Sequence, residues 1–425
     1  MNLRQILQHP LLKGGLIYAL TDAINKAVPF LILPLLTFYL TPSDYGVVAN
    51  YTVYTSILLV FAGINLHGTI SVNFYKFDKE QVASYIYNLC LILAVSTVIC
   101  FVAIALGGDL IRGFLPINNF YLLMGVMITL AQVITLFNME LWRLEEKPLS
   151  FGVYQITQTL LNFLLTLVFV ISLKYRWEGR VWAIALSTFV YGIFSLGFIW
   201  RRGYLKPVYN KAYIKDALGF GLPLLPHAMS IWVRTGIDRV FLTKFYGTEA
   251  TGLYATGFQF GLLLSFMNLA FNNAYIPYLY KNLGRENNEP LKRKLVFFTY
   301  AYGVVQVVLA LILIVVSYFI VDHFLSKSYI EARDFISWSM FTQVFQGMYL
   351  MVACYYFYAK KTKQLAYITF SAALVQVGTS YYFIRHYGPI GAAYSATIIA
   401  VITFVAVLIF SNKVYRMPWL KPSLK

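Results

Sequence analysis

Charged side chains are scarce in this chain. Only 12% of its 425 residues are Asp, Glu, Lys or Arg, and just 17 are acidic. A soluble domain carries about twice that share of charge, so too little polar surface is left to wet a globule. Cysteine is rarer still: Cys90, Cys100 and Cys354 lie inside apolar runs, without C-x-x-C or metal-finger spacing. That pattern excludes a disulfide framework and a structural zinc site, and it leaves three small buried hydrophobes. No G-x-x-x-x-G-K-[ST] loop is present, which excludes an ATP-driven pump on this chain. No Ser/His/Asp or Cys/His set stands out in the connections. Long polar segments are missing too, and the longest connections, 201–216, 281–294 and 322–334, hold at most a surface helix. Catalysis, a cofactor and a metal centre are therefore not expected.

Apolar length takes the place of all this. The chain is 59% hydrophobic, with a mean hydropathy of +0.66, and its apolar runs reach the roughly 18 residues needed to cross hydrocarbon. Read against polar punctuation they give spans near 14–40, 45–71, 82–106, 120–142, 149–173, 181–200, 217–246, 250–280, 295–321, 335–359, 364–385 and 390–411. The expected fold is an all-α integral membrane protein of about twelve transmembrane helices. The first run carries Asp22 and Lys26 and is followed by no A-x-A site, so it does not read as a cleavable signal.

A net charge of +17 would suit nucleic acid only on a basic face of a soluble fold. Here the cations sit between apolar runs, where topology and anionic lipid explain them and nucleic acid does not. With the N-terminus placed in the cytoplasm, the inner segments hold 23 Lys and Arg and the outer loops hold 8. Because short loops obey the positive-inside rule, both termini are expected in the cytoplasm of a bacterial inner membrane.

The chain also repeats itself. Residues 37–49 (TFYLTPSDYGVVA) read against 243–255 (TKFYGTEATGLYA) at an offset of 206, and 175–183 (YRWEGRVWA) against 387–395 (YGPIGAAYS) at an offset of 212. The first and seventh spans each hold a proline pair, Pro29/Pro34 and Pro223/Pro226. Two homologous six-helix bundles follow, 1–205 and 206–425, with one shared orientation. Transporters built in this way bind substrate near the midplane where the halves meet.

Intramembrane charge marks the candidate site, since each such group costs about 3 kcal/mol at the bilayer centre. Asp22 and Lys26, four residues apart, share a face of the first span. His227, Arg234 and Asp238 form one stripe of the seventh span, with Arg239 about a quarter-turn away. Each opposite-charge pair also reads as a neutralised ion pair that only fixes packing, and Arg239 also reads as snorkelling outward. Gln259, Asn268, Asn272 and Asn273 in the eighth span, with Asn65 and His67 in the second, add hydrogen-bonding groups that also read as helix–helix contacts. Glu140, beside Arg143 at a helix end, is expected to be solvated.

These residues support a family. Residues 25–46 (NKAVPFLILPLLTFYLTPSDYG), 236–242 (GIDRVFL) and 252–255 (GLYA) resemble the Wzx-type polysaccharide flippases of the MOP superfamily, which also holds the MATE multidrug exporters and the peptidoglycan lipid flippase. The resemblance spans the whole chain. It implies a V-shaped pair of bundles with alternating access, moving an undecaprenyl-diphosphate-linked oligosaccharide to the periplasmic leaflet for O-antigen or capsule assembly. It also implies membrane lipids, a polysaccharide polymerase and a chain-length regulator as partners. In the central cavity Lys26 and Arg234, with Arg239 and Asn272, would meet diphosphate or sugar. Asp22, His227 and Asp238 are the coupling or ion-pair candidates, Asp22 first, because Arg234 and Arg239 are expected to hold Asp238 ionised. A cation-coupled multidrug exporter and a membrane-embedded transferase are the alternatives. The near-neutral to positive charge of the candidate cavity disfavours the first, and the short outer loops disfavour the second.

Overall fold

The computed structural model describes residues 10–113, 115–284 and 289–419, without the side chains of 10–16, 19, 20, 22 and 26. Among the described residues the chain is helical throughout, with no strand. The helices are α1 (Pro10–Tyr39), α2 (Pro42–Gly63), α3 (Leu66–Asn73), α4 (Lys79–Arg112), α5 (Asn119–Leu144), α6 (Pro148–Thr166, continued by a π-helical turn Leu167–Ser172) and α7 (Arg176–Arg201). They continue with α8 (Lys211–Gly221), α9 (Leu225–Leu283), α10 (Glu289–Phe324), α11 (Arg333–Tyr358), α12 (Thr362–Tyr387) and α13 (Ile390–Val414). Eight stretches of the described residues are long and apolar enough to cross a membrane. One of these, Lys211–Leu283, is far too long for a single crossing at about 1.5 Å per residue. Gly247 divides it, with φ 82° and ψ 179° inside α9, a conformation that a Cβ would forbid. The second expected span is also interrupted. Ile64 and Asn65 take positive φ values of 42° and 51° and part α2 from α3, with Asn one of the few side chains at home there.

Two compact units form, Met1–Leu40 with Val47–Trp232 and Thr41–Gly46 with Val233–Lys425. In the first unit, Tyr85, Ile86, Leu89, Val133, Phe137 and Ile199 build a buried cluster from α4, α5 and α7. Its outer helix faces carry apolar side chains with no protein cover, such as Leu106 and Leu110 at 84% and 79% exposure. In a membrane those faces meet lipid, which costs nothing. The segment after residue 203 is strapped to this unit. The Lys206 amide donates to Ala83 O (3.3 Å), and the buried Asn88 donates to Val208 O (2.8 Å) and accepts from the Asn210 amide (2.9 Å). Asp216 on α8 accepts from Tyr85 (2.8 Å) and Asn73 (2.9 Å).

A second tie closes the α5–α6 and α7–α8 turns, where Arg202 donates to Glu145 (3.1 Å) and Asn138 while lying over Trp142. Burial pushes the Glu145 carboxyl up, but hydrogen bonds from Lys147 and Tyr204 and the attraction of Arg202 outweigh it and hold it below its ordinary value.

The second unit is built around α11, where Met351, Val352, Tyr355 and Tyr356 pack with Leu279, Val296 and Val407. It contains Thr41–Gly46 from the first copy of the repeated motif and the whole of the second. Thr41 and Asp44 exchange hydrogen bonds at the start of α2, and Ser43 bonds Thr248 across to the second copy (2.6 Å). The contact is reciprocal: a Cβ on Gly46 would stand 1.8 Å from Thr248 O, and one on Gly252 would stand 1.8 Å from Pro42 O. Gly252→Val must therefore push two backbones apart, at a cost of about 3 kcal/mol. Gly46→Val is expected to cost the same. The check is the thermal unfolding midpoint of the detergent-purified variants, and an unchanged midpoint for both would discard the close-approach account.

Candidate functional site

The first limb of α9 carries the charged stripe, and the neighbouring helices α11, α12 and α13 answer it within the second unit. Arg234 is partly buried, and its Nη2 donates to Gln346 Oε1 of α11 (3.0 Å). Asp238, one turn on, is 3% exposed and bonded to three neutral groups from two helices, the second limb of α9 and α12. Tyr254 OH donates to Oδ2 (3.2 Å), Gln376 Nε2 to the same oxygen (3.2 Å), and Ser380 Oγ to Oδ1. Ser395 of α13 backs Ser380 (3.0 Å) and Thr379 (2.9 Å). The other hydrogen of the Gln376 amide goes to the Arg234 carbonyl (3.3 Å). Arg234 and Asp238 therefore do not pair with each other. Among the described residues no carboxylate lies within ion-pair distance of Arg234.

The other expected residues fall in different places. Arg239 has a buried Nε with no hydrogen-bond partner. His227 is exposed and belongs to the first unit, where its carbonyl accepts from Ser230 (2.7 Å). Asn272 is buried on the second limb of α9, accepting from Cys354 Sγ (3.4 Å) beside the aromatic core of the second unit. Asp22 and Lys26 lie on α1, and their side chains are outside the described set. Glu140 is a correction. Far from being solvated, its side chain is 10% exposed and accepts from Arg143 (3.0 Å) and from Ser71 of α3. Past the break at Asn65, α3 continues along α5, Gly63 lying against Val133, Ser71 bonding Glu140 and Tyr75 bonding the Leu144 carbonyl.

A second polar constellation, absent from the expected residues, lies in the first unit. Thr159 donates to Asn25 of α1 (2.7 Å), Asn162 donates to Ser187 of α7 (3.0 Å), and Arg180 donates to Asn162 (2.6 Å) and Thr166 (2.8 Å). Asn25 Nδ2 and Gln155 Oε1 are buried there without a partner. The signal was in the sequence: Gln155, Thr159, Asn162 and Thr166 follow steps of four, three and four along one apolar span. Among the described residues no group of three His, Cys, Asp or Glu side chains could hold a metal ion.

The sequence profile of the family described as polysaccharide biosynthesis protein matches residues 11–283. The chain belongs to the polysaccharide biosynthesis protein family. The MatE profile also matches residues 223–382, which include the Arg234 and Asp238 sites. Among curated relatives, the Lsg locus putative protein 1 of Haemophilus influenzae is 25% identical, covering 86% of this chain and 90% of its own length. The capsular polysaccharide biosynthesis protein CapF of Staphylococcus aureus is 24% identical over 69% of this chain and 72% of its own. Two solved structures share the fold of this family member. An inward-facing multidrug resistance MATE family transporter of the MOP superfamily aligns with a TM-score of 0.75 at 16% identity, over 92% of this chain and 96% of that one. The lipid II flippase MurJ aligns at 0.73 and 13% identity, over 93% and 87%. At such identities the likeness is one of fold alone, a multi-pass helical one.

Proposed function

We propose that this member of the polysaccharide biosynthesis family is a flippase. It carries an undecaprenyl-diphosphate-linked oligosaccharide from the cytoplasmic to the periplasmic leaflet of a bacterial inner membrane, for O-antigen or other surface polysaccharide, and performs no covalent chemistry. The observation that carries the reading is Arg234. It is a guanidinium at membrane depth oriented by a neutral glutamine, and its charge is left for an anion. A diphosphate matches that demand, because arginine grips phosphate through two parallel hydrogen bonds. The name of the Staphylococcus relative, a capsular polysaccharide biosynthesis protein, points the same way. The excess of 23 cations on one side of the expected topology over 8 on the other supports a topology with both termini in the cytoplasm.

A cation-coupled exporter of small molecules is the second reading, favoured by the match of the MatE profile over 223–382 and by the buried Asp238. Mass spectrometry of lipids retained by the purified protein separates the two. A polyprenyl-diphosphate oligosaccharide supports the flippase. Transport of a cationic dye by proteoliposomes that move no lipid-linked sugar replaces it with the exporter.

A further inference from the structure

Two glutamines govern the charge of Arg234. Gln346 accepts one of its five N–H groups (3.0 Å) from a position where a carboxylate would form an ion pair. A neutral acceptor fixes the plane of the guanidinium without cancelling its charge. Gln376 acts on the other side. Its two amide hydrogens go to the Arg234 carbonyl (3.3 Å) and to Asp238 Oδ2 (3.2 Å), so the backbone under Arg234 is tied to α12. The nearest carboxylate on the same helix is meanwhile occupied. Tyr254 and Ser380 fill the rest of Asp238, which already has three donors for its roughly four lone-pair sites. A charge buried in protein at membrane depth would ordinarily collapse onto the nearest opposite charge. Here the helix that supplies the cation also supplies an anion one turn away, and neutral side chains from α11 and α12 hold the two apart.

We infer that Gln346 and Gln376 are positioning residues that keep the Arg234 guanidinium oriented and unneutralised for an oxyanion of the substrate, of the diphosphate class. The inference rests on the reading of Arg234 as a substrate contact. It adds that specificity for an anionic cargo is set by the neutral residues around the arginine. It also specifies a geometry: one edge of the fork is held by Gln346, and the remaining N–H groups are available for a bidentate contact.

The test uses proteoliposomes of the full chain and a fluorescent undecaprenyl-diphosphate disaccharide as probe, with inorganic pyrophosphate as competitor. Gln346→Glu places a carboxylate on the acceptor position and is expected to lower the flipping rate at least as far as Arg234→Ala does, with pyrophosphate inhibition lost. Gln346→Met keeps the length and removes the acceptor. It is expected to raise the apparent KM about tenfold, the worth of one charge-assisted hydrogen bond, with little change in maximal rate. A merely structural glutamine would instead lower maximal rate and accumulation together in both variants. Should Gln346→Glu fail to accumulate, the KM shift of Gln346→Met and the exchange Arg234→Gln with Gln346→Arg decide, the exchange being expected to recover part of the activity lost in Arg234→Gln alone. Wild-type KM and rate in Gln346→Glu, or in Gln346→Met, overturn the positioning inference. If Arg234→Ala is inactive in the same series, the substrate-contact reading survives that result. If Arg234→Ala is itself fully active, the underlying reading falls with it.

Discussion

Arg234→Ala is expected to abolish surface-polysaccharide export in cells that depend on this protein, while the variant still accumulates in the membrane. The two halves of that expectation have separate physical grounds. Accumulation is kept because the Arg234 side chain makes one hydrogen bond among the described residues, to Gln346. The tie from Gln376 goes to the backbone carbonyl and survives truncation. Removing a partly buried cation also relieves a cost of membrane insertion. Transport is lost because a bidentate guanidinium–phosphate contact comprises two hydrogen bonds to charged groups, together about 3–6 kcal/mol, or roughly a hundredfold or more in rate. Arg234→Lys retains a point charge but not the fork, and it is expected to restore export only in part. The measurement is polysaccharide display by immunoblot, normalised to membrane-fraction protein. Full display in Arg234→Ala would end the substrate-contact role.

Much of the architecture was legible in one dimension because lipid imposes a length on each apolar run. The span read near 217–246 takes in the end of α8 and the first limb of α9, that near 250–280 is the second limb, and the polar break between them is Gly247. The repeat 37–49/243–255 was legible as well, since glycines at matched positions serve a contact that is reciprocal in space, Gly46 on Thr248 and Gly252 on Pro42. Partners were not legible. Helical periodicity put Arg234 and Asp238 on one stripe and so suggested that they meet. Two of the three residues that hold Asp238 lie 138 and 142 positions away, on α12, and no local pattern announces them. Glu140 illustrates the same limit, because the residue that bonds it, Ser71, lies 69 positions away on α3. Arg180 stands near a loop in sequence, yet it reaches from α7 to Asn162 and Thr166 of α6.

Asp238→Asn is expected to remove any stimulation of flipping by an imposed pH gradient while leaving gradient-independent exchange in place. The sequence favours Asp22 for coupling, on the ground that two arginines should hold Asp238 ionised. Arg234, however, turns to Gln346, and the atoms bonded to the Asp238 carboxylate belong to Tyr254, Gln376 and Ser380. Neutral donors satisfy lone pairs without cancelling charge, and Arg239 attracts the carboxylate without bonding it, so a proton or other monovalent cation arriving at Asp238 removes a buried charge that has no direct ion pair among the described residues. The hydroxyls of Ser380 and Tyr254 can reverse from donor to acceptor as it arrives. Asparagine keeps the size and one carbonyl acceptor, so the cage from α9 and α12 is retained and the titration alone is lost. Asp22→Asn, measured beside it in proteoliposomes with and without an imposed pH gradient, tests the rival assignment. Gradient stimulation at the wild-type level in Asp238→Asn, with its loss in Asp22→Asn, would return the coupling role to Asp22 on α1. A wild type that ignores the gradient would show that neither carboxylate couples protons.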